Sequence, residues 1–153
     1  MISAPESSPQ ELLVTRVFAA PRELVFEAWT DPAHLAKWWG PRKFPGDEIS
    51  MEAREGYAWR NSLRSVETGE KLWHKGVFRE VVPPERLVFT FAWEAEGERG
   101  IETIVTLTFT EEAGKTRMTL HQAPFLSIGE RDGHSEGWNS AFDRLQELVE
   151  HMR

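Results

Sequence analysis

The final stretch of the chain, GHSEGWNSAFDRLQELVEHMR over 133–153, most narrows what the rest can become. Trp138, Phe142, Leu145, Leu148, Val149 and Met152 recur at three- and four-residue steps and share one face of a helix. Asn139, Asp143, Arg144, Gln146, Glu147 and Glu150 take the opposite face. A helix of about twenty residues runs roughly 30 Å. Its apolar stripe needs a broad partner surface, and residues 45–123 supply one, because nearly all of them read as strands. The expectation is an α+β fold in which a curved sheet grips this helix, with any pocket lying between the two.

The strand signals differ in clarity. Leu87, Phe89, Phe91 and Trp93 keep strict period two. Val105, Leu107 and Phe109 alternate with Thr106, Thr108 and Thr110, and Thr116, Met118, Leu120 and Gln122 share a face from which His121 points away. Ile49, Met51 and Ala53 predict a short strand, and Tyr57, Trp59, Asn61 and Leu63 share one face of the next. In Lys71 to Val82 the alternation slips, since Phe78 and Val81 both read as inward with opposite parity. A bulge near Arg79 reconciles them. Residues 11–19 predict a first strand. Short turns such as Pro83-Pro84-Glu85 and 111–115 favour an antiparallel meander. Between the first strand and the others, Pro21 opens a helix burying Leu24, Val25, Ala28 and Trp29. Asp31-Pro32 then caps a second helix with Leu35, Trp38 and Trp39 inward, and Gly40-Pro41 ends it. Residues 124–132 are expected to lead into the long helix, and Met1 to Gln10 to form a loose tail before a single domain over 11–153.

Composition removes whole classes of function. There is no cysteine, so disulfides, zinc–thiolate sites and cysteine nucleophiles are excluded. A net charge of -7 disfavours nucleic acid and anionic membranes as partners. No apolar run approaches the ~20 residues of a membrane span, and the first ten residues do not read as a signal peptide, so a cytoplasmic protein is expected. Seven tryptophans beside one tyrosine point to a core of wide rings or to a ring-lined cavity.

The order strand, two short helices, six strands, long helix resembles the helix-grip fold of the START-like or SRPBCC superfamily. VFAAPRELVFEAWTDPAHLAKWWGP, FREVVPPERLVFTFAW, TRMTLHQAPF and EGWNSAFDRLQEL are similar to the opening, central and closing strings of one of its families. That family is related to the activator of heat shock protein 90 ATPase. The resemblance covers residues 12–152 and departs at Glu55-Gly56, where many relatives read Gly-Gly. It implies a cavity for lipids, polyketides or other small apolar molecules, and it implies no single chemistry.

Candidate residues carry two readings each. Trp38, Trp59, Phe89, Phe91, Trp93, Phe125, Trp138 and Phe142 either pack a plain core or line a pocket. Asn61 and Gln122 sit at inward positions, and each either bonds nearby backbone or awaits a polar group on a ligand. The ligand-binding set is therefore Trp38, Trp59, Asn61, Phe89, Phe91, Gln122, Phe125, Trp138 and Phe142. His74 is the best acid–base candidate, against the alternative of a half-exposed strand histidine. His134 is expected near the helix start. No histidine pair stands at metal-ligand spacing, and no nucleophile elbow or phosphate-cradling loop is present. No catalytic residue, metal or cofactor is assigned. The leading function is binding of a small apolar or lipid-like ligand. The alternatives are a chaperone-interaction module and a cyclase- or hydrolase-like enzyme in which His74 moves a proton. An exposed edge strand could also support a homodimer.

Overall fold

The computed structural model describes residues 10–152. The expected tail falls outside these, except for Gln10, whose carbonyl accepts from the Phe125 amide at 2.9 Å. Seven strands form one antiparallel sheet in the order β1-β7-β6-β5-β4-β3-β2. They are β1 (Leu12–Phe18), β2 (Gly46–Ser50), β3 (Ala58–Arg64), β4 (Lys71–Val82), β5 (Arg86–Trp93), β6 (Thr103–Glu112) and β7 (Lys115–Ala123). Helices α1 (Arg22–Thr30) and α2 (Pro32–Trp38) follow β1, and α3 (Ile128–Met152) closes the fold. Residues β2 to β7 run as a meander, and β1 joins its far edge against β7.

The pleat decides which residues reach the core. Val105, Leu107 and Phe109 on β6, and Thr116, Met118, Leu120 and Gln122 on β7, are all buried. On β4 the register steps from Phe78 opposite Phe89 to Glu80 opposite Val88, so Arg79 is the extra residue of the expected bulge. Gly76 on the same strand has a packing role: a Cβ there would lie 1.8 Å from the Thr90 carbonyl oxygen. That bare backbone leaves room for the Trp59 indole to donate to the same carbonyl at 3.2 Å.

The small helices are fixed at their ends. Asp31 caps α2 by accepting from the Ala33 amide at 2.9 Å. At the other end Arg144 of α3 donates to the carbonyls of Lys37, Trp39 and Gly40. Gly40 turns the chain at φ 86, a left-handed conformation that suits glycine. Arg42 pairs with Glu147, and its amide bonds Ser140 Oγ at 3.0 Å. The segment after α2 is thus clamped to α3 by several polar contacts.

Three boundaries differ from the sequence reading. The predicted strand through Met51 and Ala53 stops at Ser50, because the Asn61 side chain takes the Ser50 amide at 2.9 Å and ends the ladder. Met51 is buried beyond it, while Tyr57 precedes β3 and is exposed. Helix α3 begins at Ile128 and runs 25 residues. Ser127 accepts from the Glu130 amide at 3.1 Å and so starts it earlier than the apolar stripe alone indicates.

Candidate ligand cavity

Sheet and long helix meet tightly along only part of their length. At one end Trp29 is the hub, with ring centroids 4.6 Å from Trp38, 6.3 Å from Phe89 and 6.1 Å from Phe142. Its indole donates to Met118 Sδ at 3.3 Å, and Trp38 donates to the Ala28 carbonyl at 2.9 Å. That end is solid. Beside it lies a cavity of about 330 Å³, open to solvent where the exposed Arg99 and Gly133 stand on its wall. Its rings come from Trp39, Phe44, Phe91, Trp93 and Trp138, with Leu63 and Leu72 completing the sheet side.

The helix side of the cavity is built from small residues. Gly133, Gly137 and Ala141 recur at steps of four and so stack on one face of α3. A Cβ placed on Gly133 or Gly137 meets nothing within 4 Å. Glycine inside a helix costs ~1 kcal/mol relative to alanine, and no crowding at these two positions accounts for it. Their effect is to keep space open.

Two indole–imidazole pairs brace the walls. Trp39 Nε1 donates to His74 Nε2 at 2.8 Å, and Trp93 Nε1 donates to His134 Nε2 at 3.0 Å. Accepting through Nε2 leaves each ring neutral, with its proton on Nδ1. His74 is stacked near Trp39 and Phe91, with ring centroids 5.8 and 5.1 Å away. Burial, helped by repulsion from the nearby His134 and opposed by Glu94, pushes its pKa down to about 3. Burial likewise holds His134 at about 4, with Arg99 adding repulsion. His74 Nδ1 has no partner among the described residues. The expectation of a half-exposed strand histidine is thus corrected, since His74 is 1% exposed. His134 sits inside α3 on the cavity wall, because the helix starts six residues before it.

Of the nine residues predicted to bind ligand, Phe91 and Trp138 line this cavity, and Phe125 lines a small neighbouring pocket. Trp38, Trp59, Phe89 and Phe142 are buried in the packed core and form no part of the cavity lining, although Trp38, Trp59 and Phe142 back the wall rings Trp39 and Trp138. The two amides are satisfied within the protein. Asn61 Oδ1 holds the Ser50 amide, and its Nδ2 points at Met51 Sδ at 3.5 Å. Gln122 donates to Thr103 Oγ1 and accepts from Trp138 Nε1, both at 2.8 Å. Trp39, His134 and the small-residue face are wall residues that the sequence reading did not assign, and Trp93, weighed there as a core or pocket ring but left out of the ligand-binding set, also lines the wall. The glycine spacing of four, and the Ser127-x-x-Glu130 box, were the readable signals for the helix side. The Glu55-Gly56 turn is absent from the lining, so its departure from relatives does not reach the cavity. Elsewhere Glu27, Asp31 and His34 bring ligating atoms within 4.8 Å of one another, although one Asp31 oxygen already caps α2.

Among the described residues no helix is long and apolar enough to cross a membrane. A search of curated proteins finds no match. Solved structures give close likenesses. Protein CV1439 from Chromobacterium violaceum is 29% identical with a TM-score of 0.86, over 94% of this chain and 99% of that one. The AHSA1 (SPO3351) protein from Silicibacter pomeroyi is 25% identical with a TM-score of 0.84, over the same shares. Protein Ms6760 from Mycobacterium smegmatis is 25% identical with a TM-score of 0.77, over 92% of this chain and 91% of that one. The family described as Activator of Hsp90 ATPase homolog 1-like protein matches residues 19–150. With the seven-stranded sheet and long closing helix of a helix-grip fold, the chain belongs to that family.

Proposed function

We propose that this protein binds a small hydrophobic molecule in the cavity between the sheet and α3. The observation that carries the reading is the open face of Gly133 and Gly137 on the cavity wall, where no atom of the described residues comes within 4 Å of an added Cβ. The volume of about 330 Å³ lies at the low end of the ~300–1,000 Å³ typical of ligand pockets. A compact molecule of a few rings fits it better than a long acyl chain. Flat walls from Trp39, Phe91, Trp93 and Trp138 favour a flat guest.

Catalysis draws no support from His74. A base works best with a pKa near the working pH, whereas burial holds this one near 3. A neutral imidazole fixed by Trp39 is suited to shaping the wall. The test is a fluorescence titration with N-phenyl-1-naphthylamine, a neutral two-ring probe. One saturable site is expected in the wild type and none in Gly137→Leu, whose side chain would enter the cavity. No saturable response from this probe or from a panel of small aromatic compounds overturns the reading.

The family match also favours a second reading, contact with an ATP-dependent heat-shock chaperone. Co-purification with the chaperone and a faster ATPase would support it. Absence of both would dispose of it.

A further inference from the structure

The charges at the mouth of the cavity narrow the class of guest, given the binding role proposed above. Several arginines of this acidic chain meet carboxylates, as Arg16 meets Asp143, Arg60 meets Glu94 and Arg117 meets Glu112, while Arg144 is taken up by backbone carbonyls. Arg99 has no ion-pair partner among the described residues. Its guanidinium lies 4.8 Å from the centre of the Trp93 ring, on the cavity wall. Among the described residues it is the only Lys or Arg on that wall. Glu130 is the one carboxylate there, and it too lacks an ion-pair partner among the described residues. Arg99 reaches inward from the mouth, and its repulsion at His134 helps to keep that ring neutral. A cationic guest would also find the face of Trp93 already taken by Arg99. Deeper in, the walls are rings, aliphatic side chains and neutral imidazoles, with no charge to pair a buried ion.

We infer that the guest is a small aromatic acid, with a flat uncharged body among the rings and one anionic group at the mouth beside Arg99.

A matched pair of probes tests this. 1-Anilinonaphthalene-8-sulfonate and N-phenyl-1-naphthylamine share a skeleton and differ by the sulfonate. Each is titrated into the wild type, Arg99→Gln, Glu130→Gln and Gly137→Leu. Arg99→Gln should weaken the sulfonate about three-fold, the scale of an exposed ion pair, and Glu130→Gln should tighten it by a similar or smaller factor. The neutral probe should change in neither, and Gly137→Leu should abolish both. The inference is overturned if the neutral probe binds while the sulfonate ignores Arg99→Gln, or if both probes shift alike. Sulfonate binding that survives Gly137→Leu also overturns it, because the probe then sits elsewhere. If neither probe binds the wild type, the cavity-binding reading fails and this inference fails with it.

Discussion

The two halves of α3 lie over the same sheet and meet it in opposite ways. In the second half Phe142, Leu145 and Val149 are fully buried, and Phe142 fits against Trp29, Trp38 and Trp138. In the first half Gly133 and Gly137 face empty space. The helix does not lift away to make that space. Its second half is held to the segment after α2 by Arg144, and its first half is strutted by two indole hydrogen bonds. Those run from Trp93 on β5 to His134, and from Trp138 to Gln122 on β7. Separation is set by polar struts and filling by side-chain size. A cavity can then persist beside a tightly packed core.

This contrast can be broken by substitution. The largest effect is expected in the solid half. Phe142→Ala should cost ~3–5 kcal/mol in urea denaturation, because it removes a fully buried ring and leaves a void. An equal-sized loss is not expected from any truncation among the cavity-facing aliphatics. If Leu72→Ala costs as much as Phe142→Ala, the two halves are packed alike.

Acid should act on the open half next. His74 and His134 have folded pKa values near 3 and 4, below the ordinary 6.5. Both fold neutral, so above pH 6.5 neither carries a penalty. As pH falls from 6.5 toward 4 the unfolded chain takes up protons that the folded chain refuses, and stability drops. From pH 6.5 to 5.5 the pair should remove about 2 kcal/mol. Urea midpoints measured across this range check it, and a flat profile would mean that these rings are not shielded. Gln122→Leu should cost ~1–3 kcal/mol, since Trp138 Nε1 and Thr103 Oγ1 each lose a buried partner. The smallest effect has the opposite sign. Gly137→Ala should raise stability by up to ~1 kcal/mol, because alanine favours helix and its methyl meets no atom within 4 Å.

Those contrasts also explain what could be read from the chain beforehand. Period two from Leu87 to Trp93 and the 3-4 spacing from Trp138 onward are local signals, and both elements form as the spacing requires. The parity slip between Phe78 and Val81 located the bulge for the same reason. The cavity is not local. Whether Phe89 or Phe91 ends at a void depends on what arrives from α1, α2 and α3, and period two treats the two residues alike. Trp29 fills the space over Phe89, while the glycines leave it over Phe91. Asn61 and Gln122 were legible as buried amides. Their partners, the Ser50 amide and the Thr103 hydroxyl, come from other strands and could not be read from spacing.

The seven tryptophans allow the most direct test, because each indole N–H gives its own signal in a nitrogen–proton NMR spectrum. Trp39, Trp93 and Trp138 line the cavity, Trp29, Trp38 and Trp59 belong to the packed core, and Trp73 lies under Arg60. On titration with N-phenyl-1-naphthylamine, the first three signals should move together and saturate, while the other four hold nearly still. Shifts confined to Trp73, or spread evenly over all seven, would contradict a guest seated between the sheet and the glycine face of α3.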